Sequence, residues 1–400
     1  MFSSFAIKDF RIYLIGMFVS LCGTWIQSMA QNWLVFELSN SSFLLGLVGF
    51  MSFSPILLFS LFSGVLVDRF NKRKLLLLTQ VSFMLLALSL AILTQFNLIT
   101  VNFILVISLI HGIILSLDAP ARQAMVFDLV GKQKILNAVA LNSIAFHSAR
   151  MIGPALAGIF VAIISIAGCF YLNAVSFLSF IIALCIIRPK HNVNHNNNHF
   201  LQDLKSGLNF IKNNRIYLIL ISIVGTISLF GFSYVILLPV FAKTILNLGI
   251  KGYGLLMSAS GVGSLLGGLM LASLKKPSHQ PKILIFSLYI FAFSLVIFSL
   301  SKSLIISVLI LALAGFSSLS SLAIINSLIQ IMVPNEFRGR IMSIYMLTFA
   351  GTIPFGSLLA GSLAQSIGVS STLLIFGSVC LVLFLPLSKK IINNTKLIFP

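Results

Sequence analysis

Long apolar runs separated by short polar loops dominate this chain. About twelve stand out, at roughly 12–36, 43–67, 75–95, 99–121, 138–161, 166–187, 216–242, 253–274, 282–300, 303–331, 341–364 and 370–388. Each is close to the roughly 20 residues that a helix needs to cross a hydrocarbon core about 30 Å thick. The apolar positions are continuous within each run rather than alternating, which excludes the strands of a membrane barrel. In lipid every backbone N–H and C=O must pair internally, so such runs must be helical. The pattern predicts an all-α membrane protein with twelve transmembrane helices, numbered here as spans one to twelve.

The longest polar stretch, 188–215, divides the chain into six spans and six spans. It opens with Arg188-Pro189-Lys190 and continues through HNVNHNNNH at 191–199. His191, His195 and His199 are four apart and would share a helix face, but the intervening asparagines disfavour helix, so a solvated linker is expected rather than a metal clamp. Beyond it Leu201, Leu204, Leu208 and Ile211 recur at helical spacing, predicting an amphipathic helix at the cytoplasmic membrane surface. The expected organisation is an N-terminal six-helix bundle over 1–187, a cytoplasmic linker over 188–215 and a C-terminal six-helix bundle over 216–400. An offset of 203 residues places Gly64 on Gly267, Val130 on Val333, Gly153 on Gly356 and Gly158 on Gly361, with Lys72 and Arg73 falling on Lys275 and Lys276. A constant register over that distance points to internal duplication, hence to bundles related by pseudo-two-fold symmetry with a midplane site between them.

Composition strengthens the membrane assignment. Only 8% of the 400 residues are charged and 58% are hydrophobic, against about 25% charged in a soluble domain. The net charge of +19 would suit a nucleic-acid partner if it were clustered on one face. Instead 22 of the 26 Lys and Arg fall on one side of the alternating loops, three on the other, and Arg150 inside a span. That asymmetry is the positive-inside pattern. It predicts both termini in the cytoplasm, a bacterial inner-membrane location, anionic lipid as the partner of the basic loops, and no nucleic acid. Cys22, Cys169, Cys185 and Cys380 all lie in apolar runs and read as small buried hydrophobes. The first run is too long for the core of a signal peptide and is followed by eleven more.

Two short motifs carry mechanism. The loop after span two reads GVLVDRFNKRK over 64–74. Gly64 permits close helix approach. Asp68 at the membrane edge suits the positive end of a neighbouring helix. Arg69, Lys72 and Arg73 can pair with acids nearby, Asp118 being the expected partner of Lys72 or Arg73. This segment resembles the signature loop of the major facilitator superfamily. Gly64, Asp68, Arg69, Lys72 and Arg73 match; Asn71 replaces the usual second glycine, a mild change because Asn tolerates the left-handed conformation. The resemblance implies a gate in which the loop docks on span eleven at the cytoplasmic mouth. Span five contains ARMIGPALAG over 149–158, whose proline among small residues favours a kink and close packing. It resembles the antiporter signature of that superfamily through Gly153, Pro154 and Gly158, with Ala149 and Ala157 in place of two glycines. The resemblance implies export against protons. The longer segments 23–50, 117–130 and 136–160, and more loosely 333–347, resemble the transmembrane secretion effector branch, which includes the bacterial enterobactin exporter. That branch implies the twelve-span major facilitator fold and efflux of a siderophore or other small amphiphile.

Polar groups at membrane depth are costly and therefore functional candidates. Arg150 is the one basic residue well inside a span, with His147 and Ser143 on the same face. An anionic substrate group or an interhelical bond would each account for it. Thr24, Gln27 and Gln31, joined by Ser28, form a polar stripe on span one that should face the bundle interior, as cavity lining or as interhelical contact. Asn326, Gln330, Tyr345 and Thr348 would complete the cavity from the second half. Glu37 and His111 are the proton-coupling candidates, although a solvated acid and a bonded structural histidine are the plainer readings. The chain has no GxxxxGK[ST] loop, HExxH or GxSxG. No enzyme activity, cofactor or metal is expected. The reading is a monomeric secondary active exporter whose partners are a small molecule, protons and membrane lipid. The alternatives are an importer or facilitator of the same fold and a non-transporting membrane receptor or scaffold.

Overall fold

In the computed structural model, residues 4–187, 200–273 and 279–395 are described, and helix is their only regular structure. The expected apolar runs all become helices. Span one is Lys8–Ser39, span two Ser42–Arg69 and span three Lys72–Gln95. In the second half, span seven is Arg215–Thr244 and span eight Ile250–Ser273. Spans nine to twelve are Gln280–Leu300, Leu304–Met332, Asn335–Ile367 and Val369–Thr395.

Spans four to six form one hydrogen-bonded run, Val101–Ile186, whose backbone leaves helical geometry at Gly131 (φ 69°) and Ser165 (φ 67°). The apolar stretch Asn137–Ile186 has 50 residues. As one straight helix it would extend about 75 Å, more than twice the hydrocarbon thickness. The break at Ser165 therefore separates two crossings, 137–164 and 166–186, and brings the eleven helices long and apolar enough to cross a membrane among the described residues to the expected twelve. Ser165 holds a left-handed φ that a side chain resists, and its Oγ accepts the Gly168 N–H at 3.3 Å, capping span six.

Asn71 is a cap of the same kind. Its φ is −64°, not left-handed as the glycine substitution suggested, and its side chain accepts the Lys74 N–H at 3.1 Å. An N-cap residue must be extended and carry an acceptor. Asn therefore fits this position for a reason unrelated to glycine-like freedom.

Two compact units are present. The first holds the described residues up to 40, 51–187 and 249–258; the second holds 41–50, 200–248 and 259–395. The first turns of spans two and eight thus sit in the opposite unit from the one a simple division at the linker gives them. In the first unit, Phe10, Tyr13, Met17, Leu76, Met125 and Phe180 form the main core. Span one lies tight on span six, where a Cβ on Gly16 would stand 2.6 Å from the Ala183 side chain. In the second unit, spans eight and ten meet where a Cβ on Gly263 or Gly315 would strike the Ala312 or Ser260 carbonyl. Without glycine these backbones could not approach so closely.

Residues 200–213 form the expected amphipathic helix. It packs on the start of span eleven, with Phe210 stacked on Phe337 at 4.5 Å and Gly207 facing Ile344 and Arg340. Gly207 and Phe210 make this contact, and Ile211 beside them is buried. Leu208, expected on the same face, is 50% exposed, because the neighbour is a helix that admits Gly207 rather than a leucine. The side chains of Leu201 and Leu204, and residues 188–199 with His191, His195 and His199, lie outside the described residues. Cys185 is exposed, unlike the other three cysteines, because it sits at the end of span six.

Candidate functional site

The polar stripe of span one faces the inside of the first unit. Gln27 Oε1 accepts a hydrogen bond from Asn173 Nδ2 of span six at 2.7 Å, and Gln31 Nε2 donates to Ser108 Oγ of span four at 3.0 Å. Thr24 instead donates to the Ser20 carbonyl of its own helix at 2.9 Å. An amide turned toward lipid would leave its dipole unpaired, so these bonds fix the rotation of span one. Gly23 makes room for them, since a Cβ there would overlap Ser176 and Asn173. Neither Asn173 nor Ser108 stands out in sequence, because a single polar residue in an apolar run carries no periodicity.

The span-five motif builds the second part. A Cβ on Gly153 would lie 2.5 Å from the Cβ of Trp25 and 3.0 Å from the Cys22 carbonyl. Ala149 and Ala157 are fully buried. Spans one and five therefore meet backbone to backbone, and the Arg150 guanidinium comes over the Trp25 indole, 5.6 Å from its centroid. Phe146 meets the same indole edge-on at 5.9 Å and His147 at 5.4 Å. His147 Nδ1 is buried with no hydrogen-bond partner among the described residues. Trp25 was not a sequence candidate: it reads as one more apolar residue until Gly153 is seen to seat it. Beyond Gly153, the Pro154 carbonyl and Gly158 receive Gly254 of span eight, where a Cβ would stand 2.7 Å from that carbonyl.

The same contacts recur in the second unit at the 203-residue offset. Gly356, the counterpart of Gly153, lies against the Leu229 carbonyl and Ser233 of span seven. Gly361, the counterpart of Gly158, receives Gly46 of span two, whose Cβ would be 2.9 Å from the Gly361 Cα. Span seven departs from α geometry here, with a π turn over Ile227–Gly231. Of the candidates in this unit, Gln330 donates to Asn326 Oδ1 at 2.6 Å along span ten, and Tyr345 donates to the Leu322 carbonyl at 3.2 Å, joining spans ten and eleven. Thr348 stands 3.4 Å from where a Cβ of Gly225 would be.

At the basic end the pairing differs from the sequence expectation. Lys72 pairs with Asp128, Nζ lying 2.8 Å from Oδ2, not with Asp118. Asp118 is buried and already satisfied: Thr79 and Gln80 each donate to Oδ1 at 2.7 Å, and Arg122, one turn along the same span, bonds Oδ2. Gln80 also accepts from Arg122 Nη2 at 3.1 Å, and the guanidinium lies 4.6 Å from the Phe180 centroid. Arg73 binds no carboxylate in these bonds; its Nε and Nη2 donate to the Leu184 and Cys185 carbonyls at 2.6 Å, closing the end of span six. Span four runs well past Asp118, so the acid level with Lys72 is nearly three turns further on. The surroundings of Gly64 and the side chains of Asp68 and Arg69 lie outside what is described.

The two proton candidates are far apart in character. Glu37 is exposed near the end of span one. His111 sits 4.9 Å from Phe83, which stacks on Phe177 at 5.8 Å, so its ring belongs to an aromatic cluster.

Residues 1–396 match the family described as transmembrane secretion effector. The chain is 28% identical over 378 residues to the staphyloferrin A transporter of Staphylococcus aureus, covering 92% of both chains. It is 22% identical over 400 residues to macrolide efflux protein A of Streptococcus pyogenes, covering 98% of both. Its fold resembles the crystal structure of a bacterial homologue of the human lysosomal transporter Spinster, with a TM-score of 0.70 at 12% identity over 96% of this chain and 97% of that one.

Proposed function

The chain belongs to the transmembrane secretion effector family of the major facilitator superfamily and is a transporter rather than an enzyme; from that premise we propose that it exports a small amphiphilic molecule by proton antiport. The observation that carries the reading is the closure of the span-five Gly-Pro motif onto span one, which sets a mid-span arginine over an indole. A membrane-buried cation beside aromatic and amide groups is costly unless it serves a ligand or a packing need. Relatives whose names record a siderophore and a macrolide support a siderophore or drug-like cargo.

In this reading the chain folds as bundles over 1–187 and 216–400 joined by the linker 188–215, with both termini in the cytoplasm. Transport proceeds by alternating access, with cargo contacts from Thr24, Gln27, Gln31, His147 and Arg150 in the first unit and from Asn326, Gln330 and Tyr345 in the second. Gly64, Asp68, Arg69, Lys72 and Arg73 close the cytoplasmic mouth, with Asp128 holding Lys72 and Asp118 tying span three to span four. Glu37, exposed at the far end, is the better placed of the two proton carriers; His111 lies among aromatic rings. A monomer suffices for this cycle.

Metabolite profiling of medium and cell extract, with and without the gene under iron limitation, tests the proposal. A chelating metabolite that disappears from the medium and accumulates in cells establishes siderophore export. An unchanged profile followed by lost resistance to toxic amphiphiles would place the protein among drug exporters. Collapse of the proton gradient should raise the cell content of cargo; a fall would mark an importer. A ligand bound but not moved by purified protein in vesicles would leave a receptor or scaffold.

A further inference from the structure

We infer that the cavity between the turn after span three and the turn joining spans five and six binds the uncharged, hydroxyl-rich head group of a membrane glycolipid, on the side opposite the basic loops. The inference goes beyond the export reading and does not rest on it, because it concerns neither cargo nor coupling.

The cavity has a volume of about 470 Å³, within the roughly 300–1,000 Å³ of small-molecule sites. It lies in the first unit, at the end of span three remote from Lys72, Arg73 and Lys74. Thr94, Gln95 and Asn97 line it from span three and its turn, and Val161, Ser165, Ile166 and Ala167 from spans five and six. Both turns pass through a left-handed residue that carries a polar side chain, Asn97 at φ 55° and Ser165 at φ 67°. Glycine would turn as readily but would bring no hydrogen-bonding group to the cavity.

Thr94 Oγ1 is shielded from solvent and has no hydrogen-bond partner among the described residues. Ser82 and Ser89 of the same helix each donate to the carbonyl four residues back at 2.9 Å, the usual outlet for a hydroxyl in an apolar helix. Thr94 forgoes that bond where it lines the cavity. Rotation about χ1 exchanges its methyl and hydroxyl, so the hydroxyl can turn to an occupant and end a costly lack of partner. The Gln95 and Asn97 amides also make no side-chain hydrogen bond among the described residues, and each offers donors and an acceptor. Ser165 Oγ accepts the Gly168 N–H, which leaves its own proton to donate.

None of the lining residues is charged. A phosphate or ammonium would lose hydration there without gaining a counter-charge. Sugar hydroxyls, each both donor and acceptor, match two amides and two hydroxyls without that cost. The rim selects a lipid over a free sugar. Phe96 and Leu98 are 66% and 61% exposed beside Gln95 and Asn97, and Ile163 is 71% exposed beside the Ser165 turn. An acyl chain would cover these side chains at the membrane edge; a soluble sugar would leave them bare.

Native mass spectrometry of the full-length protein, in an amine-oxide detergent that has no hydroxyls, tests the inference. The probes are monoglucosyl diacylglycerol, the parent diacylglycerol and phosphatidylglycerol, all with the same acyl chains. One glucosyl lipid should be retained about tenfold more tightly than diacylglycerol, the effect of one or two neutral hydrogen bonds, and more tightly than phosphatidylglycerol. Thr94→Val with Gln95→Leu should bring the glucosyl lipid within about twofold of diacylglycerol. Asn97→Gly, which suits the left-handed φ, should lower the preference by itself and decides alone if the double variant does not fold. Equal retention of the two neutral lipids, stronger retention of phosphatidylglycerol, or an undiminished preference in the folded variants overturns the inference. Methyl glucoside separates the two sources of a sugar: if it displaces the lipid at equal concentration, the cavity takes a free sugar and the lipid assignment falls.

Discussion

Lys72 and Asp128 form a half-desolvated ion pair, with side-chain exposures of 16% and 8%. Removing one partner from such a pair strands a charge, which costs about 3–5 kcal/mol when fully buried and somewhat less here. Lys72→Met is expected to destabilise the detergent-solubilised protein by about 2 kcal/mol, and Lys72→Met with Asp128→Leu to recover most of it. Unfolding followed by helix signal in a denaturant series measures both; a double variant no better than the single one would mean that the pair contributes nothing. Asp68, in the last turn of span two, acts on the cycle under the gating proposal. Asp68→Asn keeps the shape and removes the charge, so transport should be lost while the protein remains in the membrane, as read by cargo efflux and immunoblot. Full efflux would remove Asp68 from the gate. The presence of charged pairing here was legible in the sequence, but its partners were not. Asp118 and Asp128 are both acids on span four, and only the length of the helix past the apolar run decides which is level with Lys72. Trp25 was illegible for a related reason: its role comes from a glycine 128 positions away in the chain.

At the scale of elements, hydropathy located every crossing, because lipid forces an apolar run of that length to be helix. What it left out are the local departures from helix. The π turn at Ile227–Gly231 has no compositional marker, and the turn between spans five and six is made by a serine where glycine would be usual. Ser165 balances two effects of similar size. Its left-handed φ costs about 1–2 kcal/mol for a residue with a Cβ, and its hydroxyl cap on Gly168 contributes about 1 kcal/mol. Ser165→Gly relieves the strain and loses the cap, so the midpoint of thermal unfolding should stay within a few degrees. Ser165→Val keeps a Cβ, adds a β-branch and loses the cap; it should cost about 2–3 kcal/mol. A Val variant as stable as the parent would show that the turn relaxes freely and that the break does not depend on this residue.

For the whole molecule, the division at the linker foreseen from polarity is crossed by two helices. Span two begins in the second unit and ends in the first, and span eight does the reverse. Small residues make both crossings possible, Gly46 against Gly361 and Gly254 against Pro154 and Gly158. The duplicated motif glycines, found in sequence by a fixed offset, are therefore the seats for these exchanged turns. One seat is also latched. Gln365 Oε1 accepts the Ser42 N–H at 2.8 Å and the Ser41 hydroxyl at 3.1 Å, so a side chain of span eleven caps the start of span two. Helix N-terminal donors need such an acceptor, and a cap contributes about 1 kcal/mol. If alternating access requires Ser41–Phe50 to leave span eleven in each cycle, Gln365→Leu should raise the population of the separated state by about fivefold, the factor that 1 kcal/mol gives. Ser357 reports this directly, since it is 6% exposed and faces Gly49 across the contact. A Ser357→Cys reporter, in a chain whose four native cysteines are replaced, can be labelled by a membrane-impermeant maleimide from the side opposite the basic loops. Labelling should be slow with Gln365 present and about five times faster with leucine there. An unchanged rate would mean that the cap is not broken during the cycle and that span two stays seated on span eleven while transport proceeds by another movement.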